Sequence, residues 1–256
     1  MPATDDLLPP LPEFAAPGRV APSLRGRVQW QHAEVVAVRR ETPGLRTVRL
    51  ALPVWNEHVA GQHYMVRLTA ADGYTTQRHY SVASPPGDTG HIDLTVDRVE
   101  GGEVSGYFHT VARPGDRIEV RGPLGGFFAW SGDRPALLVG GGSGVVPLVS
   151  MLRHARSVPG TADLHLVACV RTPEDLPYAS ELASAPDVTV VHSRRAPTGQ
   201  PVGRLTAETL APHAAQALAE DREVFVCGST SFAESVAKPL LTAGLPPTHL
   251  RIERFG

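Results

Sequence analysis

The feature that most restricts how this chain can fold is a change in its hydrophobic pattern near residue 131. Before that point, apolar and polar residues alternate in short runs such as HAEVVAVRR (32–40) and HYMVRLT (63–69). After it, apolar runs such as ALLVG (136–140) are followed by segments such as VVPLVSMLRHAR (145–156). The first pattern is typical of half-buried β-strands, and the second indicates buried strands that alternate with helices. The sequence therefore predicts two domains of different architecture.

The first predicted domain covers residues 31–131 and consists mainly of strands. LRTVRLAL, HIDLTVDRV and DRIEVRG also alternate, and turn clusters such as TPG, SPPGDTG and RPGD separate the runs. Consecutive strands joined by short turns form antiparallel sheets, and closure into a barrel removes their exposed edges. One segment, EVSGYFHTV, is predicted to be helical. We therefore expect an antiparallel β-barrel with one short helix.

The second predicted domain covers residues 132–256. DLHLVACV, VTVVHS and EVFVCGS are nearly continuous apolar runs, with helical segments between them. This alternation predicts a parallel sheet with helices on both faces, a type that binds ligands at the carboxyl ends of its strands. The residues just after the predicted strands, where we expect binding, are residues 140–144, Arg171, residues 193–195 and residues 227–229.

Residues 1–30 precede both domains and begin with the proline-rich stretch MPATDDLLPPLPEF. Acidic residues and prolines stand where a signal peptide needs basic and apolar ones, so we expect a mobile tail and a cytoplasmic protein. No apolar run reaches the ~18 residues of a membrane span, so no membrane association is expected. The 24 Lys and Arg residues nearly balance the 26 Asp and Glu residues, which argues against nucleic acid as a partner.

The sequence offers no metal site. Cys169 and Cys227 are too few for a four-cysteine zinc site or an iron–sulfur cluster, and the 11 histidines lack the spacing of zinc motifs. A disulfide between the two cysteines would be unusual in a cytoplasmic protein. Metal-dependent or hydrolytic chemistry is therefore the least favoured function.

A glycine-rich turn, LLVGGGSGVVP, connects the first strand of the second domain to its first helix. Glycines let backbone N–H groups approach a phosphate, and a helix N-terminus favours anions. The segment lacks the lysine of a P-loop, and Val145 or Pro147 interrupts the hydrolase elbow and the dinucleotide fingerprint. This segment alone leaves open whether the turn binds phosphate or only joins strand to helix.

Arginines follow the next two predicted strands. Arg171 ends one of them, Arg194 and Arg195 follow Ser193 at the end of the next, and Arg204 comes shortly after. NAD sites place a carboxylate near here for the ribose hydroxyls, whereas a basic residue suits the 2′-phosphate of NADP. We therefore predict a phosphate pocket and a preference for NADPH over NADH, although any single arginine could be a solvated surface charge.

Five ordered motifs resemble the ferredoxin–NADP reductase-like family of flavoprotein reductases. They are RHYS (78–81), GGEVS (101–105), GPLGGF (122–127), GGGSGVVP (140–147), and CGS (227–229) with the terminal ERFG (253–256). The resemblance covers roughly residues 30–256. It implies an enzyme in which NADPH or NADH delivers hydride to FAD, and reduced FAD passes electrons to an acceptor.

The resemblance assigns the RHYS motif to the flavin. Alternate side chains of a strand share a face, so Arg78 and Tyr80 point the same way. In the family this arginine holds the flavin phosphate, the tyrosine stacks on the ring, and the serine, here Ser81, faces the atom that accepts hydride. A guanidinium pairs with phosphate through two hydrogen bonds and a flat ring offers a stacking surface, so these residue types suit the task. His79 lies between them.

The same resemblance implies FAD rather than FMN. A short helix near residue 102 would meet the flavin pyrophosphate with its N-terminus, and the strand before it would line the adenosine half. The alternative for Ser105 is a plain helix-start serine. The residues expected there are Val96, Asp97, Arg98, Gly102, Glu103, Val104 and Ser105.

The nicotinamide side is assigned in the same way. Ser143 would lie between flavin and nicotinamide, Cys227 beside the nicotinamide, Glu253 near the site of hydride transfer, and Phe255 over the flavin. The implied catalytic residues are Tyr80, Ser81, Cys227 and Glu253. The remaining implied cofactor-binding residues are Gly141, Gly142, Ser143, Gly144, Arg171, Ser193, Arg194, Arg204, Cys227, Gly228, Ser229 and Phe255.

Two structural expectations and two open questions remain at this point. Some family members carry an iron–sulfur domain, and we expect this chain to lack one because it has too few cysteines. The acceptor could be a ferredoxin, an oxygenase component, a cytochrome or a small molecule such as free flavin. A second interpretation is a non-catalytic flavin- or nucleotide-binding module for electron transfer or sensing. Pro239 falls inside the last predicted helix, where we expect a kink.

Overall fold

The computed structural model describes residues 28–255, which form two sheets with their own helices. The predicted tail, residues 1–30, lies outside the described residues except at its end. Among the helices of residues 28–255, none is long and apolar enough to cross a membrane.

The first sheet has six antiparallel strands in the order β4-β3-β6-β1-β2-β5. Its elements are β1 (Gln31–Arg40), β2 (Leu45–Ala51), β3 (His63–Thr69), β4 (Thr75–Ser81), β5 (His91–Asp97), helix α1 (Glu103–Thr110) and β6 (Arg117–Leu124). The outer strands meet just beyond β4, where Val82 pairs with Leu94 and the Ala83 N–H donates to Asp93 O at 2.8 Å. The sheet thus closes into a barrel.

Apolar side chains at alternate positions of the strands fill the interior of this barrel. Leu50 of β2, Tyr64 of β3 and Leu94 of β5 are fully buried, as is Phe108, which α1 contributes to the same core. β1 carries a bulge between Val35 and Ala37, where its register with β2 shifts. The alternating runs of the sequence therefore predict this half of the molecule well.

The second sheet has five parallel strands in the order β11-β10-β7-β8-β9. The elements are β7 (Ala136–Gly141), α2 (Val145–Ser157), β8 (Leu164–Val170), α3 (Ala179–Leu182), β9 (Val188–His192), α4 (Ala207–Ala219), β10 (Glu223–Ser229), α5 (Thr230–Thr242) and β11 (Leu250–Phe255). The sequence interpretation did not identify β11 as a strand. Pro239 lies inside α5, which continues to Thr242.

Helices cover both faces of this sheet, because successive residues of β7 point in opposite directions. Leu138 packs in one core with Leu148 of α2, whereas Val139 packs in another with Leu210 of α4 and Val236 of α5. Together the two sheets confirm the predicted fold class, an antiparallel barrel followed by a parallel α/β domain.

Polar contacts fix the two halves against each other. Ser150 of α2 donates to Ser84 O at 2.7 Å, and Arg153 Nη1 donates to Ala83 O at 2.9 Å. The Arg153 guanidinium also pairs with Glu181 at 2.6 Å and lies 4.6 Å from the ring centre of Tyr178. These contacts join helix α2 to the segment that follows β4. They therefore set the position of the strand that carries RHYS relative to the α/β domain.

Candidate cofactor site

A cleft of about 1040 Å³ runs between the barrel and the carboxyl ends of the parallel strands. Many of the site residues expected from the sequence line this cleft. They are Arg78, His79, Tyr80, Ser81, Asp97, Gly102, Glu103, Val104, Ser105, Gly141, Gly142, Ser143, Arg171, Ser193, Arg204, Ser229 and Phe255. They come from segments that are far apart in sequence. The fold therefore brings most of the predicted site residues to one surface.

Strand β4 supplies the centre of the barrel side of the cleft. Arg78 is exposed and forms no ion pair with a described residue, and its Nη1 donates only to the adjacent Gln77 O at 2.7 Å. Tyr80 packs edge-on against Phe108 of α1, with ring centres 5.8 Å apart. Burial raises the pKa of Tyr80 to about 12, so its phenol stays protonated. The strand thus offers the cleft a free cation and a fixed aromatic ring.

Ser81 ends the same strand and pairs across the sheet with His63. Its Oγ is buried and has no hydrogen-bond partner among the described residues. A buried hydroxyl without a partner costs free energy, so its position in a cleft lining indicates a ligand that would complete it. Ser81 is the clearest single sign that the cleft is a binding site.

The start of α1 forms the next part of the lining. Gly102 precedes the helix, and a Cβ there would lie 2.5 Å from Ser105 Oγ, so the turn is too tight for a side chain. Ser105 Oγ donates to Gly102 O at 3.3 Å. Glu103 accepts a hydrogen bond from Tyr74 of the β3–β4 turn at 3.2 Å. The helix N-terminus therefore faces the cleft, while the Ser105 hydroxyl already bonds its own backbone.

The glycine-rich turn after β7 forms the opposite wall. Gly142 has a left-handed backbone with φ of 58°, which suits glycine. A Cβ on Gly141 would lie 2.7 Å from the Phe232 ring, and one on Gly144 would lie 2.2 Å from Cys227 O. Gly141 and Gly142 line the cleft, whereas Gly144 packs against β10 and does not. Gly142 thus leaves open space at the cleft, whereas Gly141 and Gly144 allow neighbouring groups to pack closely.

The arginines predicted for a phosphate pocket separate in the structure. Arg171 and Arg204 line the cleft and form no ion pair with a described residue. Arg194 is exposed and lies outside the lining, and Arg195 pairs with Glu174. A carboxylate that the sequence reasoning did not consider, Asp175 in the turn after β8, also lines the cleft. Its carboxylate accepts from the N–H and hydroxyl of Thr172, so it acts at least partly as a turn cap.

The end of the last strand, β11, contributes to the cleft lining. Phe255 lines it, and Glu253 lies beside Cys227 in the parallel pairing of β10 with β11. Cys227 is fully buried in the core and does not line the cleft. Burial, and then the charge of Glu253, raise the pKa of the Cys227 thiol well above its ordinary value. The cysteine is therefore a protonated core residue in this structure.

Other predicted residues also lie away from the cleft. Val96 is fully buried in the barrel core, and Arg98 borders a separate small cleft with Arg40 and Arg46. The predicted residues outside the lining are Val96, Arg98, Gly144, Arg194, Cys227, Gly228 and Glu253. Cys169 and Cys227 are both free thiols. Residues 28–255 contain no group of three or more His, Cys, Asp or Glu side chains that could hold a metal.

The structure adds lining residues that the sequence reasoning missed. They are Thr42, Gly44, Leu45, Thr95, Val99, Val146, Cys169, Val170, Asp175, Val191, Gly203, Leu205, Ser231, Phe232, Ser235 and Arg254. Cys169 and Val170 immediately precede Arg171, which the sequence reasoning did place at the site. The turn around Thr42 was recognised as a turn, but nothing in the sequence linked it to the binding site. Phe232 packs its ring beside two glycines, Gly141 and Gly228, and this contact becomes visible only in the fold.

The chemistry of the lining fits a flavin dinucleotide and a nicotinamide dinucleotide. Free guanidinium groups occur on both sides of the cleft, at Arg78 and at Arg171 with Arg204, and phosphates prefer such partners. Ser81 Oγ lacks a partner among the described residues, and open space beside Gly142 leaves room for a phosphate at a helix start. The donor set therefore matches FAD on the barrel side and a nicotinamide dinucleotide on the other.

Comparison with protein families matches two segments of the chain. Residues 32–128 match the model of the oxidoreductase FAD-binding domain, and residues 138–238 match that of the oxidoreductase NAD-binding domain. The chain belongs to the ferredoxin–NADP reductase-like flavoprotein oxidoreductases. The cofactors expected from the sequence, FAD and a nicotinamide dinucleotide, are those of these two domains.

Individual members of this family are similar over most of the chain. The glycine betaine monooxygenase reductase subunit of Chromohalobacter salexigens is 32% identical over 201 residues, covering 72% of this chain and 53% of the relative. The ferredoxin reductase component of 3-ketosteroid-9-alpha-monooxygenase from Rhodococcus rhodochrous is 30% identical over 230 residues, covering 86% and 64%. The chain thus spans between half and two thirds of these relatives.

A solved structure of the family shares the fold. The ferredoxin NADP+ reductase of Neisseria gonorrhoeae, solved with bound FAD and NADP, superposes with a TM-score of 0.74 at 21% sequence identity. The match covers 89% of this chain and 99% of that protein.

Proposed function

We propose that this protein is an FAD-dependent reductase that takes hydride from NADPH and passes electrons to a separate acceptor. The observation that carries the proposal is the single cleft lined by RHYS residues of the barrel and by strand-end residues of the α/β domain. A cleft shared in this way holds two cofactors next to each other, which is what hydride transfer requires. The cofactors supply the hydride chemistry, and the chain supplies binding and orientation.

On the barrel side, Arg78 would pair with the flavin phosphate and Tyr80 would stack on the flavin ring. The N-terminus of α1, at Gly102 and Glu103, would receive the pyrophosphate through free N–H groups. Ser81, whose hydroxyl lacks a partner, would hydrogen-bond the flavin at its reacting end. Phe255 would cover the remaining face.

On the other side, the turn at Gly141 and Gly142 would hold the nicotinamide pyrophosphate. Arg171 and Arg204 would bind the 2′-phosphate, and this contact supports the preference for NADPH over NADH. Arg194 lies outside the lining and contributes less to this proposal than the sequence suggested. Asp175 is the counterargument, because a carboxylate near the ribose favours NADH.

For the acceptor we propose a redox protein such as an oxygenase component or a ferredoxin. The support is that two relatives are named as reductase parts of monooxygenases. A small-molecule acceptor is the other outcome. A panel of ferredoxins, oxygenase components, cytochromes and free flavins, assayed with NADPH as donor, distinguishes these possibilities.

The experiment that tests the proposal is cofactor analysis followed by anaerobic reduction. The purified protein should be yellow, hold about one FAD per chain, and lose its colour when NADPH is added. A protein that takes up FAD but is not reduced by NADPH or NADH would instead be a non-catalytic flavin- or nucleotide-binding module. FMN in place of FAD would remove only the roles given to the residues that follow β5.

A further inference from the structure

Tyr178 has a backbone conformation that its residue type disfavours. Its φ of 53° and ψ of 38° lie in the left-handed region, at the residue that precedes α3. A tyrosine rarely adopts this region, because its Cβ then crowds the backbone. The side chain is nevertheless buried. Such a conformation persists only where the surrounding contacts hold it, and residues of this kind cluster at functional sites.

The phenol of Tyr178 is hydrogen-bonded to the barrel. Its Oη pairs with Oγ1 of Thr95 on β5, and Thr95 Oγ1 lies 2.6 Å from Oγ1 of Thr47 on β2. Thr95 points out of the barrel, because its neighbours Leu94 and Val96 belong to the barrel core. Burial raises the pKa of Tyr178 to about 12, so the phenol keeps its proton at ordinary pH. Three buried hydroxyl groups thus form a chain from the barrel wall to the α/β domain.

A second set of contacts fixes the ring of Tyr178. The Arg153 guanidinium of α2 lies over the ring and pairs with Glu181 of α3. The same guanidinium donates to Ala83 O, two residues beyond the RHYS strand. The ring is therefore held by a cation on one face and by the barrel at its hydroxyl end.

The segment from Arg171 to Tyr178 connects this anchor to the dinucleotide side of the cleft. Arg171 and Asp175 both line the cleft. The Asp175 carboxylate accepts from the N–H and the hydroxyl of Thr172, which braces the turn between them. Two prolines in the segment further restrict its backbone. A shift of Tyr178 therefore moves lining residues on the dinucleotide side.

Thr95 brings the flavin side into the same connection, because it lines the cleft as well as bonding Tyr178. One hydrogen bond thus joins a lining residue of the barrel to the segment that carries two lining residues of the α/β domain. The contact of Ser150 with Ser84 O, by comparison, joins residues that lie outside the lining. Hydride transfer depends on such alignment, since the donor and acceptor atoms must be held in contact.

We propose that Tyr178 is a positioning residue for hydride transfer, which sets the position of the segment 171–178 over the flavin side through its bond to Thr95. The proposal rests on the proposed function, in which Arg171 binds the 2′-phosphate at the adenosine end of the dinucleotide. Tyr178 itself does not line the cleft. Loss of its phenol leaves the binding groups of the segment in place but moves them relative to the flavin. Hydride transfer therefore slows, while dinucleotide affinity changes little.

The test is anaerobic stopped-flow reduction of the flavin by NADPH. The variants are Tyr178→Phe, Thr95→Val, Thr95→Ser and the double variant Tyr178→Phe/Thr95→Val. Tyr107→Phe is the matched control, because its phenol bonds Asp116 within the barrel and lies outside the lining. Ser150→Ala is a second control, since it removes a different hydrogen bond between the domains.

We expect Tyr178→Phe to lower the reduction rate at saturating NADPH by roughly tenfold, less than the ~100-fold that a 1 Å misplacement can cost. The KM for NADPH should stay within about twofold, as when an interaction acts on the rate alone. Thr95→Ser keeps the hydroxyl and should stay near wild type. The double variant should be no slower than the slower single variant, because both changes remove the same bond.

Three results would refute this role. The first is an unchanged rate in Tyr178→Phe. The second is equal slowing in Ser150→Ala, which would indicate a general loosening of the domain contact. The third is equal slowing in Tyr107→Phe, which would indicate that loss of any buried phenol contact has the same effect.

A shorter donor sharpens the test. Reduced nicotinamide mononucleotide lacks the adenosine half, so it does not reach the segment 171–178. Tyr178→Phe should therefore be reduced by this donor as fast as wild type, and equal slowing with both donors would overturn the proposal. If wild type is reduced by none of NADPH, NADH and this donor, the proposed function fails and the role of Tyr178 fails with it. If wild type is reduced normally, only the role of Tyr178 is at stake.

A measurement without turnover tests the anchor itself. Hydrogen–deuterium exchange of the FAD-loaded protein, without NADPH, follows the peptide that covers residues 171–178. We expect this peptide to exchange several-fold faster in Tyr178→Phe than in wild type, because its attachment to the barrel is weakened. Its exchange should be unchanged in Tyr107→Phe. Wild-type exchange in Tyr178→Phe would show that the phenol does not hold the segment.

Discussion

The two sides of the cleft are built in different ways. The barrel side takes its central residues from two short unbroken segments, residues 78–81 on β4 and residues 102–105 at the start of α1. The other side takes them from the ends of four parallel strands, β7, β8, β9 and β10. A short segment brings its side chains together by local geometry. Separate strand ends meet only when the whole sheet has formed.

The two sides also differ in their surroundings. Tyr80 packs against Phe108, and Ser81 is buried. Arg78, Arg171 and Arg204 are all exposed to solvent, so the barrel side differs in adding these buried contacts to its exposed cation. Because water and salt weaken exposed charge pairs, flavin binding should be strong and depend little on salt, whereas dinucleotide binding should be weaker and more sensitive. The difference can be tested one side at a time.

The largest effect is expected from Arg78→Ala. Loss of a charge-assisted pair to phosphate should weaken FAD binding by about 1.5–3 kcal/mol. Riboflavin has no phosphate, so its affinity should be almost unchanged. Fluorescence titration of the apoprotein with both flavins measures the two affinities. Arg121→Ala, at an exposed position of β6 outside the lining, is the control. Equal losses for FAD and riboflavin would remove the phosphate role.

Tyr80→Ala should weaken flavin binding by a different route. Loss of a stacking surface should cost about 1–3 kcal/mol, by analogy with stacking of bases on aromatic side chains. This loss should be the same for FAD and riboflavin, because the ring system is common to both. Tyr80→Phe keeps the ring and should bind both flavins nearly as wild type does. A Tyr80→Phe variant as weak as Tyr80→Ala would show that the hydroxyl matters more than stacking.

On the other side, Arg204→Ala and Arg171→Ala should raise the KM for NADPH more than that for NADH. Because the second arginine remains in each single variant, we expect about tenfold at most, which corresponds to ~1.4 kcal/mol. Arg195→Ala is the control, since Arg195 pairs with Glu174 instead. Arg194→Ala should have a small effect. If the KM for both dinucleotides rises together, the arginines contact a part common to NADPH and NADH; a wild type that prefers NADH would contradict the pocket itself.

The smallest effect is expected from salt. Raising ionic strength from about 0.01 M to 0.15 M shortens the Debye length from roughly 30 Å to 8 Å. The KM for NADPH should rise a few-fold, while the dissociation constant for FAD changes less. Steady-state kinetics and flavin titration in the same buffers make the comparison. An equal salt dependence on both sides would contradict the difference described here.

The contrast also explains what the sequence could predict. Period-two alternation and apolar runs predict both sheets, because burial of one or both faces leaves a direct mark on the pattern. The RHYS and GGEVS segments could be assigned as units, since neighbours in sequence stay neighbours in space. The structure places 17 predicted residues on one cleft, and most lie in such short segments or in the glycine turn.

The rest depends on packing that no local pattern encodes. Whether Arg194 or Arg204 faces the cleft depends on the path of the chain after β9, whereas position at a strand end had favoured Arg194. Cys227 was expected beside the nicotinamide. It lies on β10, which has a neighbouring strand on each side, and the Cys227 side chain is buried in the core. Asp175 was missed because a short helical turn after β8 returns it to the cleft.

The most direct test of the account is an anaerobic titration of the purified yellow protein with NADPH. The account predicts about one FAD per chain and loss of the flavin colour near one equivalent of NADPH, because one hydride carries the two electrons that fully reduce one flavin. It also predicts that Arg78→Ala loses FAD, while Arg204→Ala keeps FAD but needs more NADPH. A protein that fails to take up FAD, or that stays yellow with excess NADPH and NADH, would contradict it.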